Sequence, residues 1–493
     1  MNDVLRFHPE AYEVMTCTLD GRSVTYRAWE GLRYCARPVD DIQKLNLYAP
    51  EAYFHGEAIN GYTLHTAPIF APNTVGGYMQ GPAMQPGEDR FRGGPNTAFE
   101  ALAHGYVVAC AGVRGRNTGE ARREFFVGGS GEENAATGRL VGRAPAFIVD
   151  MKAAVRYLRH NRDVIPGDVE RIVTNGTSAG GALSALMGAT GNSPDYAPFL
   201  KAIGAADARD DIFAASCYCP IHNLENADAA YEWLFCGEDE YHRMNFVPTK
   251  KGIRRVPVSG RMTDKQIALS RELKAAFPAY VNGLGLVDAD GTALTLDADG
   301  EGSFKALIER LVRESAQREL ETHSSVHRGL VSGAEVEKQG YLTIDGGRVT
   351  DVDWPGFVRA ITRMKTTPAF DALDLGSPEC EEFGDEVVYA RHFTAFSQAH
   401  SEREAELAED AAVKRLNPVR YIGEADCAPH WRIRHGAYDR DTSLAVPAIL
   451  AALLKNRGYD VDFRLPWGLP HSGDYDLEEL FAWIDGIAGE KRD

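Results

Sequence analysis

The sequence predicts an α/β protein: a mostly parallel sheet with helices on both faces, interrupted by a large and mainly helical insertion. Three observations predict it. Strand-length apolar runs alternate with amphipathic helices from Thr63 to Ile221, the order that builds a parallel sheet through right-handed crossovers. The same alternation returns from His430 to Ile487. Between them, from Asn223 to about Ala405, buried-strand runs are few and long amphipathic stretches dominate. The expected organisation is therefore a core in two parts, 1–222 and 406–493, with 223–405 inserted as a cap.

Each element follows from its local pattern. Ser23–Trp29 and Ile42–Tyr48 alternate apolar and polar residues, as antiparallel strands leading into a sheet do. Thr63–Phe70 reads as the next strand, and a loop carrying Gly76 and Gly77 follows it. Asn96–His104 has helical spacing and is closed by Gly105 at the C′ position. Tyr106–Ala111 is a buried strand, and in the loop behind it Arg114 and Arg116 suit a solvated loop or a structural ion pair better than an anion site. Ile148, Met151, Val155 and Leu158 recur at helical spacing across Ala146–Asn161. Pro166-Gly167 then turns the chain into a strand at Arg171–Asn175, followed by a helix at Ala182–Ala189 and a strand at Ala214–Ile221.

In the insertion, helices are expected at Asp264–Tyr280, Ser303–Glu321, Trp354–Met364 and Val387–His400, with a hairpin at Tyr341–Val352 turning on Asp345-Gly346-Gly347. The core resumes with a strand at His430–Gly436, a helix at Ser443–Arg457 stopped by Gly458, a strand at Tyr459–Leu465 and a final helix at Leu477–Ile487.

Composition narrows the function. Lys and Arg total 53 against 71 Asp and Glu, a formal charge of −18, which repels phosphate backbones and anionic bilayers and argues against nucleic-acid and membrane partners. No stretch approaches the roughly 18 consecutive apolar residues that cross a bilayer. The opening MNDVLRFHPEAYEV is acidic where a secretory leader is basic, so a cytoplasmic location is expected. Eight cysteines are scattered without zinc-ribbon spacing. Cys217 and Cys219 alternate onto one strand face and read as buried thiols rather than half a metal site. No metal or organic cofactor is expected.

The chemistry centres on Gly176-Thr177-Ser178-Ala179-Gly180, a Gly-x-Ser-x-Gly sequence between a strand and a helix. Such a turn strains the serine and exposes its hydroxyl at a helix N-terminus, where the Ala179 N–H can hold a developing oxyanion. Gly77, with Gly76 as the alternative, is the candidate for the second donor. A serine hydroxyl needs a base, and the base needs a carboxylate to fix its tautomer. His471 follows one resumed strand in a Gly/Pro loop, and Asp439 follows the other. His430 and His435 fall within the strand before, where a base is poorly placed. Asp441 competes with Asp439 for the acid role and equally suits a cap for the next helix. Ser178, Asp439 and His471 thus stand in the chain order of the α/β-hydrolase fold.

With these residues in place, the chain resembles the bacterial tannases, tannin acyl hydrolases of that superfamily. The segments that carry the likeness are PNTVGGYM, GTSAGGALSALMGATGN, CPIHNLENAD, MKTTPAFD with SPE, RIRHGAYDRDTS and LPWGLPHSGDYDLEELFAWI. The fungal type has cysteines where this chain has Thr177 and Ser472, so that type is not matched. The resemblance implies Ser178, Asp439 and His471 as the triad, a galloyl ring between Ile221 and Pro378, and phenolic hydroxyls held by Lys365, Glu379 and Asp441. Without it, Lys365 and Glu379 would read as a surface pair. The implied reaction is cofactor-free hydrolysis of small polyphenol esters to gallic acid. The alternatives are a feruloyl-type or general carboxylic esterase on the same triad, and a non-catalytic binding protein on the same fold.

Overall fold

The computed structural model describes residues 4–89, 93–120, 138–249, 252–322 and 335–489. Its main sheet has nine strands in the order β1-β2-β3-β5-β4-β6-β7-β12-β13. These are β1 Glu13–Leu19, β2 Arg22–Leu32, β3 Leu45–Pro50, β4 Pro68–Pro72, β5 Val107–Ala111, β6 Asp168–Thr177 and β7 Ala214–Tyr218, with β12 His430–Arg434 and β13 Asp460–Arg464 from the resumed core. The pairs from β1 to β5 are antiparallel, and every pair from β5 through β4 to β13 is parallel. The first hairpin turns on Asp20-Gly21, both at positive φ (48° and 74°), the geometry that a right-twisted two-residue turn requires.

Helices cover both faces. Ala146–His160, Ala179–Ala189 and Ala445–Asn456 lie on one, where Ile148, Leu183 and Ile449 are fully buried in the larger core cluster. Thr97–His104 and Leu477–Gly489 lie on the other, burying Leu102, Phe481 and Ile484. The second parallel strand begins at Pro68 rather than Thr63, because Thr63 to Ala67 close a turn in which Thr66 N and Ala67 N both donate to Thr63 O. Arg114 and Arg116 form structural ion pairs: Arg114 grips buried Asp150 with two nitrogens, at 2.7 and 2.9 Å, and Arg116 pairs with Glu381.

All elements between β7 and β12 stand outside this sheet. They include the helices Leu224–Phe235, Asp264–Gly283, Ser303–Thr322, Trp354–Ile361 and Pro378–Glu382, and two separate hairpins, β8–β9 (Glu240–Thr249 with Gly252–Arg261) and β10–β11 (Leu342–Asp345 with Arg348–Val352). The β8–β9 hairpin has no counterpart in the sequence reading. Trp233, Phe277, Phe304 and Trp354 form the aromatic centre of this layer.

Residues 362–394 have little regular structure of their own and are held by buried carboxylates instead. Asp228 accepts from Phe370 N and Asp371 N, and Asp371 accepts from His392 Nδ1, Phe393 N, Thr394 N and Thr394 Oγ1. That anchoring explains a departure from the sequence reading: the helix expected over Val387–His400 shrinks to Ala395–Ala399, capped by Thr394. The N–H groups a longer helix would use are already taken by Asp371.

Candidate active site

Ser178 sits between β6 and the helix Ala179–Ala189 at φ 65°, ψ −126°, a strained conformation that persists only where its surroundings enforce it. The enforcement is visible. Ser178 N donates to Tyr218 O at 3.0 Å, and Ser178 O accepts from Ile221 N at 3.2 Å. Asn73 Nδ2 donates to Asn175 O and to Gly180 O, both at 3.0 Å, stitching the loop after β4 across the turn. A Cβ on Gly176 would overlap Asn73 Nδ2 and Gly180 O, so only glycine fits this crossing.

The candidate base and its candidate carboxylate, His471 and Asp439, lie in the loops after β13 and β12. His471 Nδ1 and Asp439 Oδ2 are 2.7 Å apart, and Asp439, wholly buried, also accepts from Asp441 N at 2.8 Å through Oδ1. Burial alone would raise the Asp439 carboxyl; the His471 and His435 charges outweigh it and hold it below the usual range. Burial pulls the His471 imidazole down, but the carboxylates of Asp439 and Asp441 win and hold it well above an ordinary histidine. His471 Nε2 is left with no hydrogen-bond partner. Its loop is pressed onto the serine turn, since a Cβ on Gly473 would collide with the Thr177 hydroxyl. The imidazole loop and the serine turn are therefore in contact through Gly473 and Thr177, and His471 is paired with Asp439.

The oxyanion candidates fall on either side of Ser178. Ala179 opens its helix, so its N–H has no intrahelical partner. Gly77 lies at φ 55° and is half-buried, while Gly76 is buried. Its carbonyl accepts from Arg116 Nε at 2.8 Å, which fixes the plane of the following peptide. Tyr78, next in line, donates from its hydroxyl to Ile221 O at 2.7 Å. Ile221 is thus tied to both Ser178 and the glycine loop.

The remaining candidates come from the insertion. Pro378 opens the short helix Pro378–Glu382, capped by Ser377 Oγ on Cys380 N at 3.2 Å. Glu379 is buried; burial raises its carboxyl, Lys365 and Arg116 draw it back, and Asp441 pushes it up again. Lys365 Nζ lies 4.0 Å from the centre of the Phe370 ring. Asp441 is half-buried, and its carboxylate lies within 4.8 Å of the ligating atoms of Asp439 and His471. It is not a helix cap: the helix begins at Ala445 and its N-cap, Leu444, makes no side-chain bond.

A model of the BD-FAE family matches residues 139–211, the span that contains the serine turn. Esterase LipQ of Mycobacterium tuberculosis is 34% identical over 90 residues, which is 18% of this chain and 20% of that esterase. The matched segment is therefore only a fifth of that relative's length. Tannase from Lactobacillus plantarum aligns over 98% of this chain and 100% of its own, at 47% identity and a TM-score of 0.90. The chain belongs to the tannase family. A tannin acyl hydrolase solved in complex with ethyl gallate covers 98% of this chain and 99% of its own, at 47% identity and a TM-score of 0.87.

For this tannase family member, three residues near the candidate site make contacts that the sequence reading does not anticipate. Arg116 bridges the glycine loop and the cap helix, a role hidden because its partners Gly77 and Glu381 are distant in sequence. Tyr78 stands in the glycine loop, where no strand or helix period marks its hydroxyl contact with Ile221 O. His435 lies one residue beyond the end of β12, not within the strand, and its Nδ1 is 3.7 Å from Asp439 Oδ2. Its proximity to the acid was legible in the short spacing from His435 to Asp439. Among the described residues no helix is long and apolar enough to cross a membrane.

Proposed function

We propose that this protein is a serine esterase that hydrolyses galloyl esters, with Ser178, His471 and Asp439 as its triad. One observation carries the reading. Buried Glu379, on a helix of the insertion, stands in the field of both Lys365 and Asp441, and Asp441 belongs to the same tight group as Asp439 and His471. A polar clamp and an acyl-transfer dyad therefore share one residue neighbourhood. Ionised carboxylates accept from phenolic hydroxyls and an ammonium donates to phenolic oxygen, so the set suits a polyhydroxylated ring, with Ile221 and Pro378 against its faces.

In this reading, Ser178 Oγ attacks the ester carbonyl while His471 Nε2 takes its proton. The negative oxygen is held by the N–H groups of Ala179 and Gly77. Asp439 keeps the proton of His471 on Nδ1, so that Nε2 is free to accept. The imidazolium then protonates the leaving alcohol, and a water molecule repeats the cycle on the acyl-enzyme to release gallic acid. The substrate is a small polyphenol ester, with 1–222 and 406–493 as the catalytic core and 223–405 as the cap that recognises the ring.

An ester panel tests the reading. A site that buries Lys365, Glu379 and Asp441 against the ring leaves them unpaired when hydroxyls are missing, a mismatch that costs about 10⁴ in kcat/KM. Methyl gallate should therefore be hydrolysed that much faster than methyl benzoate. Similar rates would leave only a general carboxylic esterase, and a methyl ferulate rate above the gallate rate would favour the feruloyl-type reading.

A further inference from the structure

Beside Asp439 lie two buried side chains, Cys219 and His435, that the proposed acyl transfer does not use. Cys219 leaves β7 at φ 43°, and its buried thiol donates to Ser472 O at 3.1 Å. His435 leaves the adjacent strand β12 and is wholly buried, yet neither of its ring nitrogens has a hydrogen-bond partner among the described residues. One ligating atom from each of Cys219, His435 and Asp439 lies within 4.8 Å of the others. A polar ring buried without partners loses its hydration and regains nothing. The unpaired imidazole, aimed at Asp439 from 3.7 Å, therefore marks a place where a ligand would be stabilising.

We propose that Cys219, His435 and Asp439 form a binding site for a borderline or soft divalent cation, zinc or cadmium, and that the bound ion switches the esterase off. Thiolate, imidazole and carboxylate are the donor set such ions take. The donors stand on rigid supports. β7 and β12 pair in register, with Arg434 opposite Tyr218, and Cys219 N donates to Arg434 O at 2.7 Å. His471, which is paired with Asp439, has a side chain 19% exposed, so the group has a neighbour in contact with solvent.

Binding balances in charge. The Cys219 S–H bond breaks and its proton goes to solvent as sulfur bonds the metal, His435 gives a neutral lone pair, and Asp439 gives its existing negative charge. The buried group passes from one net negative charge to none, and no electron is transferred. Inhibition follows because Asp439 Oδ2, now 2.7 Å from His471 Nδ1, turns to the ion, and the imidazole loses the group that fixes its tautomer. This last step rests on the catalytic reading of Asp439 and His471; the binding itself does not.

The test uses the full chain, freed of adventitious metal with EDTA and titrated with cadmium or zinc chloride. Two readouts are followed: the ultraviolet thiolate-to-cadmium charge-transfer band and methyl gallate hydrolysis. The expected result is one cadmium per chain, with band and inhibition rising together and both reversed by EDTA. Cys219→Ser should lose the band and need roughly 100-fold more zinc for the same inhibition, because the softest donor is gone. His435→Gln should weaken both while keeping the thiol, and Cys236→Ser, which alters a partly exposed cysteine elsewhere, should change neither. Absence of the band at stoichiometric cadmium overturns the proposal, as does a Cys219→Ser variant as sensitive to zinc as the parent. A Cys219-dependent band without inhibition overturns the switch. Failure of the metal-free enzyme to cleave any ester is a different outcome, which counts against the proposed function and leaves the band to report on the site.

Discussion

Asn175 Nδ2 donates to Asp474 Oδ1 at 2.8 Å, joining a residue three positions before Ser178 to one three positions after His471. With Gly473 pressed on Thr177, this bond sets how the imidazole loop meets the serine turn. Asp474 sits at φ 53°, so the loop is held in a conformation it would not choose alone.

Breaking that tie should therefore act on chemistry rather than on recognition. Asp474→Ala is expected to lower kcat by about 100-fold, the cost of a displacement near 1 Å at a reacting pair, with little change in KM for methyl gallate. The rate of Ser178 labelling by a fluorophosphonate, which needs no galloyl contact, should fall in parallel. Unchanged labelling would show that the loops keep their register without the bond.

The pH dependence has a definite sign. Against burial, Asp439 and Asp441 hold the His471 imidazole well above an ordinary histidine, and only the neutral form accepts the serine proton. The acid limb of kcat/KM should accordingly lie above the ordinary histidine value, with activity rising as pH rises through the limb. Asp441→Asn removes one of the two carboxylates and should move the limb to lower pH. Fluorophosphonate inactivation followed against pH isolates this shift from any loss of ring binding. On the stability side, a raised pKa in the folded state gives a contribution fully present below the unfolded histidine value and lost as pH rises through the folded one. Urea midpoints of the parent should decline over that window, and those of Asp441→Asn should decline earlier.

Specificity should respond to Glu379. Glu379→Ala removes a buried acceptor on the cap helix and is expected to cut the preference for methyl gallate over methyl benzoate by roughly 100-fold or more. Its rate on methyl benzoate should stay near that of the parent. A ratio unchanged from wild type would mean that Glu379 does not face the ring.

The insertion's stability should hinge on a buried ion pair. Arg363 and Glu232 both have fully buried side chains and are paired, and Thr367 Oγ1 donates to Glu232 Oε1 at 2.6 Å. Glu232→Ala strands the guanidinium and is expected to cost about 3–5 kcal/mol, read as a lowered urea midpoint. Glu232→Gln, which keeps one acceptor, should cost less.

The parallel core was legible because its strands β4, β5 and β7 are nearly all apolar and its helices carry regular spacing. Val107–Ala111 and Ala214–Tyr218 are buried at every position. Ser178, Asp439 and His471 could be ranked because each follows a strand in a loop of its own. The stretch 362–394 could not, since its path is set by Asp228 and Asp371 taking backbone N–H groups across the fold, a pattern with no local period. The cap role offered for Asp441 failed for a similar reason: the helix starts later than its apolar residues suggest, and the carboxylate is left facing the imidazole.

Arg116 joins two jobs that might have been kept apart. Through Nε it holds the carbonyl of Gly77, and through its other end it grips Glu381, two residues from Glu379 on the same short helix. One planar side chain thereby ties the glycine loop to the short helix that carries Glu379. On the proposed function, exchanging the whole insertion would also disturb the glycine loop, so new substrate ranges should be easier to reach by changing side chains within the insertion than by replacing it.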